Sequence, residues 1–248
     1  MDGLVWGYET VGIAKTDAEM EAHLASLPNG GQSQLGSKWA AGDIMYKDLN
    51  GDGKISSGDG TLNDLGDLKV VANTQLRFKY GLTLDASWKG FDFSAFFQGV
   101  GKRDVVVGGP YFWGANGQGM WQAAAFKDHM DYFRPEDTES VFGPNVDAYY
   151  PRVIFGGGSS EGGKNTLTQS RYVQNGAYIR LKNLQLGYTL PSTITKKFAV
   201  NSLRVYVSGD NLWTGTKMRV FDPEVLGSTG DAGKAYPLAS CLLYTSDA

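Results

Sequence analysis

Between Leu76 and Trp88 the chain alternates strictly. Leu76, Phe78, Tyr80, Leu82, Leu84, Ala86 and Trp88 are apolar, and Arg77, Lys79, Gly81, Thr83, Asp85 and Ser87 between them are polar or small. A period of two places the two sets on opposite faces of a β-strand. Lys89-Gly90 interrupts the pattern, and Phe91, Phe93, Ala95 and Phe97 resume it with Asp92, Ser94 and Gln98 opposite. Two such runs joined by a two-residue turn ending in Gly predict a tight hairpin. Its first strand is long: about 5–6 residues is usual in soluble sheets, whereas about 9–11 cross a membrane. The apolar face is therefore either the core of a sandwich or the lipid-facing side of a barrel. Trp88 and Phe91 flank the turn, where a barrel carries interfacial aromatics.

The pattern returns in SRYVQNGAYIRLKNLQLGYTL. Ala177, Ile179 and Leu181 keep one phase, and Leu184, Leu186, Tyr188 and Leu190 keep the other. The flip at Lys182-Asn183 predicts a β-bulge or a break. Pro191 ends the strand. A short turn leads to Leu203, Val205 and Val207 on a further strand ending at Asn211-Leu212-Trp213. Four strands are expected, near 74–88, 91–100, 171–190 and 202–213. Their connections alternate tight, very long and short, the pattern of an outer-membrane barrel. Earlier, Thr16 and Glu19 form a capping-box pattern before one short helix, EMEAHLASL, that carries His23.

GDIMYKDLNGDGKISSGDG holds a calcium-type loop over residues 48–59. Asp48, Asn50 and Asp52 stand at positions 1, 3 and 5, Gly53 at 6, Lys54 at 7 (offering its backbone carbonyl), Ser56 at 9 and Asp59 at 12. Alternate oxygen ligands wrap a hard cation while glycine permits the sharp turn. Position 12 is Asp rather than Glu, and the flanking GDIMYK is extended, so a structural Ca2+ bracing a loop is expected rather than a sensor. The competing reading is an Asp/Asn/Gly turn cluster that needs no metal. Residues 100–170 read as a long, irregular, glycine-rich connection containing Trp113, Trp121, Tyr149 and Tyr150, candidates for contact with a substrate or partner; His129 and several acids lie in the same stretch.

Composition narrows the field. The 248 residues include 34 glycines and 12% aromatics, and net charge is −3, so no basic footprint for nucleic acid exists. No apolar run reaches the ~18 residues of a membrane helix, and a mean hydropathy of −0.28 does not count against a barrel, half of whose residues are polar. The first residues, MDGLVWGYETVG, lack the basic start and apolar core of a signal peptide, leaving a cytoplasmic chain or a stretch of a longer one, the second preferred. The lone Cys241 excludes an internal disulfide. No GxSxG, HExxH or P-loop pattern occurs, so no enzyme is expected.

The series GDIMYKDLNGDGKI, WKGFDFSAFFQG, YPR, SRYVQNGAYIRLKNLQLGYTLP, LRVYVSGDNLW and FDPE resembles the C-terminal part of the SusC/RagA family of TonB-linked outer-membrane proteins. The resemblance implies an all-β fold: the C-terminal part of a large antiparallel transmembrane barrel, incomplete here, with long extracellular loops. It implies import of glycans or peptides across the Gram-negative outer membrane with a SusD-type lipoprotein, energised by the TonB complex through a part not present. Thr83, Asp85, Ser87, Asp92, Ser94 and Gln98 would then face the lumen or plug, and the apolar set would face outer-membrane lipid. Residues 1–240 are expected to be this barrel portion. Residues 241–248, within ASCLLYTSDA, are expected to be a non-native tail resembling translated sequencing-adapter sequence, replacing the closing strand. An open edge is not sustained in lipid, so the chain alone is expected neither to insert nor to transport. The alternative from another class is a soluble calcium-dependent carbohydrate-binding β-sandwich.

Overall fold

The computed structural model describes residues 3–116, 125–155, 161, 163–226 and 237–247. Along the chain run β1 (Leu4–Tyr8), β2 (Thr10–Ile13), α1 (Asp17–Ala25), β3 (Ile44–Tyr46), β4 (Leu68–Asn73), β5 (Arg77–Trp88), β6 (Phe91–Lys102), β7 (Asp104–Val106), the single turn α2 (Pro110–Trp113), β8 (Val173–Asn175), β9 (Tyr178–Thr189), the turn α3 (Ser192–Thr195), β10 (Arg204–Thr216) and β11 (Cys241–Asp247). They divide into two compact units. One holds residues 3–75 and 104–174, the other residues 76–103, 175–226 and 237–247.

The second unit is one antiparallel sheet in the order β11-β10-β9-β6-β5. Lys89 (φ 48°) and Gly90 (φ 88°) close the β5–β6 hairpin in the doubly left-handed turn that matches strand twist. Trp88 opposes Phe91, which opposes Tyr188 in turn. The predicted bulge is present. Pairing passes from Phe96↔Asn183 to Phe97↔Leu181, leaving Lys182 as the extra residue. β10 answers with its own register shift, from Asp210↔Asn183 to Trp213↔Leu181. The extra residue restores parity, so Leu181 lands on the same face as Leu184, Leu186 and Tyr188.

That face is continuous and uncovered. Across it lie Leu82, Leu84, Trp88, Phe91, Phe93, Leu186, Val205, Val207 and Trp213, all exposed, and no second sheet packs on them among the described residues. The opposite face carries Asp85 beside Ser94, and Gln98 beside Arg180. Arg204 reaches Asp92 at 2.6 Å across Gly187, where a Cβ would overlap both side chains. Both short connections, Lys89-Gly90 and residues 190–203, leave from one end of the sheet. The long connection joins β6 to β9 at the other, where Val100 opposes Tyr178. The described sheet does not close on itself: β5 and β11 each have one edge without a described strand.

Three expectations change. The run 171–190 is two strands, because Asn175 turns the chain by accepting from the Ala177 N–H at 2.9 Å. β8 then pairs with β7, and only β9 joins the large sheet. The expected four strands are joined by a fifth, since Cys241–Asp247 pairs along β10 from Asp210 to Arg204. The connection after β6 is not merely irregular; it helps build the first unit.

In that first unit β1 pairs with β4, β2 with β3 and β7 with β8. Thr16 caps α1 by accepting from Glu19 N–H, and the Glu19 carboxylate accepts from Lys15 N–H. His23 Nε2 lies 3.1 Å from Gln32 Oε1, a structural contact. The interior joins apolar side chains (Met20, Ile44, Tyr46, Ile55) to a polar knot on Asp43. Asp43 is fully buried and meets Lys164 Nζ at 2.8 Å, Arg152 Nε at 2.7 Å and Asn165 Nδ2 at 2.8 Å. Lys164, equally buried, also donates to the carbonyls of Ser37 and Lys38 and sits 4.6 Å from the Trp39 ring centre. Burial pushes the Lys164 ammonium below the usual lysine range, against the pull of Asp43.

Candidate functional site

The calcium-type loop is wound tightly by its own side chains. Asp48 accepts from Gly51 N–H at 2.6 Å and from Gly53 N–H at 2.9 Å, Asn50 from Asp52 N–H, and Asp52 from Lys54 N–H. Gly51 and Gly53 take φ of 77° and 78°, which favours glycine at both positions. Asn29 fixes the loop from outside by donating to the Asp52 carbonyl. Lys54 forms a backbone bridge with Gly31, and Ser56 is buried with its N–H on Asp67.

The carboxylates that converge are Asp48, Asp52 and Asp67, with one oxygen from each lying within 4.8 Å of the others. A cation with ligands at about 2.3–2.6 Å spans such a set. Asp59, the expected twelfth-position ligand, instead accepts from Thr61 N–H and stays exposed. Asp67 immediately precedes β4, outside the loop motif, and accepts from Leu49 N–H at 2.7 Å and Ser56 N–H at 2.8 Å. Burial raises the Asp67 carboxyl above the usual range, only partly offset by those N–H groups. Burial also acts on Asp48, but there the Gly53 and Gly51 N–H groups prevail and hold it below that range.

The aromatic candidates behave differently from exposed stacking platforms. Phe112, Trp113, Tyr150 and Tyr172 are all buried in one cluster, edge-on to one another except for the near-parallel Tyr150 and Tyr172. Trp113 lies 4.7 Å from Tyr172, and Phe112 lies 5.4 Å from Tyr150, between ring centres. Tyr149 is half-buried against Tyr150 at 4.9 Å. Trp121 lies outside the described residues. His129 supports the cluster rather than any catalytic pair. Its Nδ1 accepts from Phe126 N–H, and its Nε2 is 3.1 Å from the carbonyls of Tyr111 and Phe112, so the partners place the proton on Nε2.

On the polar face of the sheet a second charged group forms. Buried Arg180 contacts Asp222 at 2.6 Å and Glu224 at 2.9 Å, and Lys182 contacts Glu224 at 2.8 Å. Arg103 donates to the carbonyls of Pro223 and Leu226. These cations, one supplied by the bulge, tie the FDPE segment (221–224) to the strands.

No protein-family model matches the chain. It is 30% identical over 222 residues to TonB-dependent receptor P3 of Formosa agariphila, covering 90% of this chain and 18% of that protein. It is 30% identical over 221 residues to TonB-dependent receptor P26 of the same organism, covering 88% and 19%. The chain thus spans less than a fifth of the length of these relatives. Among solved structures it is similar to the RagAB peptide transporter, with a TM-score of 0.60 at 23% identity, covering 98% of this chain and 22% of that one. It is also similar to the RagAB peptide importer in its open-open state, with a TM-score of 0.57 at 22% identity and the same coverage. The likeness in fold makes the five-stranded sheet part of a large antiparallel barrel wall.

Proposed function

This chain is a SusC/RagA-type TonB-dependent receptor sequence, and on that premise we propose that it builds wall and outer connections of an outer-membrane importer. The importer takes up glycans or peptides together with a SusD-type surface lipoprotein, and the TonB complex supplies the energy. The observation that carries this reading is the single-layer sheet: one face continuously apolar and exposed, the other polar and ion-paired. Lipid on the first face and a watery lumen on the second satisfy both. The sandwich alternative requires a second layer on the apolar face, and among the described residues its candidate platforms Trp113 and Tyr150 are buried.

In this reading Asp85, Asp92, Ser94 and Gln98 line the lumen, and the connection between β6 and β9 lies outside the cell. Asp48, Asp52 and Asp67 hold a structural calcium ion that stiffens the 48–67 segment. No catalytic centre is assigned. The test is uptake by cells carrying the complete receptor gene, with fluorescent peptides and oligosaccharides as cargo. Uptake that disappears on deleting either the receptor or TonB supports the proposal. Uptake that survives both deletions, or a chain that expresses as a soluble monomer without detergent, refutes it.

A further inference from the structure

Residues 135–144, Pro-Glu-Asp-Thr-Glu-Ser-Val-Phe-Gly-Pro, form a loop with an unusual economy. Its base is zipped: Arg134 N–H donates to the Asn145 carbonyl at 3.1 Å, and Asn145 N–H donates back at 2.9 Å. The buried Arg134 guanidinium braces it from below by donating to the carbonyls of Gly143, Met130 and Tyr132. Asn145 Nδ2 adds bonds to Asp131 and to the Tyr132 carbonyl. Within the loop, Thr138 N–H reaches the Pro135 carbonyl, and Gly143 N–H, at a φ of 67°, reaches the Ser140 carbonyl. A proline bounds each end and restricts the chain further.

This rigid loop carries nothing apolar inward. Val141 is 92% exposed and Phe142 60% exposed. Beside them stand Glu136, Asp137 and Glu139, all exposed, and none forms an ion pair among the described residues. No basic residue occurs between 135 and 144. Displaying two apolar side chains on a preformed turn is unfavourable in water, but it lowers the ordering cost of binding.

We propose that this loop is a docking knuckle for a protein partner. Val141 and Phe142 enter an apolar pocket on the partner, and Glu136, Asp137 and Glu139 meet Lys or Arg side chains around its rim. Phosphate-rich lipid head groups would repel the three carboxylates, so a protein is favoured over a membrane surface. An aromatic anchor within a charged rim is the usual anatomy of a binding hot spot. The inference rests on the reading above, in which this connection is extracellular and a lipoprotein seats on the receptor.

The experiment uses the complete receptor co-expressed with a SusD-type lipoprotein from the same organism. A photo-crosslinking benzoylphenylalanine is placed at Val141, at Phe142 and, as a control, at the exposed Leu62 in another loop. Crosslinks from 141 and 142, but not 62, to a Lys- or Arg-bearing peptide of the lipoprotein are expected. Glu136→Lys, Asp137→Lys and Glu139→Lys together should lower that yield at least tenfold while the barrel's heat-modifiable migration is unchanged. Crosslinks only to lipid, or a yield indifferent to charge reversal, overturn the proposal. Co-purification of the lipoprotein without crosslinks from 141 or 142 overturns the knuckle alone. Absence of any co-purifying lipoprotein overturns the underlying reading, and the knuckle with it.

Discussion

Asp43→Asn isolates the energetics of the first unit. The carboxylate is fully buried and faces three side-chain donors, of which Lys164 is equally buried. Asparagine keeps the size but removes the charge, leaving the Lys164 ammonium with neutral carbonyl acceptors, the Trp39 ring and the weaker pull of Glu161. Removing one partner of a buried pair costs about 3–5 kcal/mol. Hydrogen exchange of the receptor in detergent reads this as a roughly 150- to 5,000-fold faster exchange, at about 1.4 kcal/mol per tenfold, in amides of residues 40–46 and 163–169. The pH dependence has a definite sign. Lys164 titrates below the usual value of 10.5 in the folded state, so over that window the unfolded chain holds more protons and stability rises with pH. Losing Asp43 removes the contribution that raises Lys164, so Asp43→Asn should widen the window downward and recover part of its loss at alkaline pH. Adding Lys164→Met should recover most of the loss at neutral pH. Equal protection in wild type and variant, or a double variant worse than the sum of the singles, would refute the buried-pair reasoning.

Leu84→Arg, on the exposed apolar face at mid-strand, should cost about 2–4 kcal/mol and deplete assembled receptor in membrane fractions, whereas Thr83→Arg on the polar face should be tolerated. Gly99→Ala forces a methyl group into the Tyr80 hydroxyl and the Tyr178 carbonyl, breaking their 3.2 Å bond. Its expected cost of about 1–3 kcal/mol should appear as a lower heat-modification temperature on gels. Asp67→Ala should abolish calcium heat in titration calorimetry, while Asp59→Ala should leave it close to wild type; the reverse order would return the twelfth ligand to Asp59.

What could be read before the structure was whatever repeats locally. The hairpin, its turn and the Lys182 bulge follow from side-chain parity, which a run of ten residues states by itself. Asp67 was missed because the loop motif supplies its ligands from within twelve positions, and only the return of the chain into β4 brings this carboxylate across. The aromatics of the long connection were visible, but their burial was not. It depends on pairings such as Tyr132 with Tyr150, which carry no signature in either stretch. Lys164 reads as a solvated lysine, and only Asp43, far away in sequence, makes its burial affordable. β11 is not expected from the sequence because ASCLLYTSDA reads there as a non-native tail in place of a closing strand, whereas Cys241–Asp247 pairs along β10.

The zipped base between Arg134 and Asn145 also has a consequence for how freely the loop can be changed. A loop whose two ends are held by their own hydrogen bonds is a cassette: its interior can be lengthened, shortened or rewritten while the ends stay where they are. Residues between Pro135 and Pro144 can therefore be replaced without disturbing the pairing of Arg134 with Asn145 beneath them. An engineer can use the same position to graft an epitope into the chain.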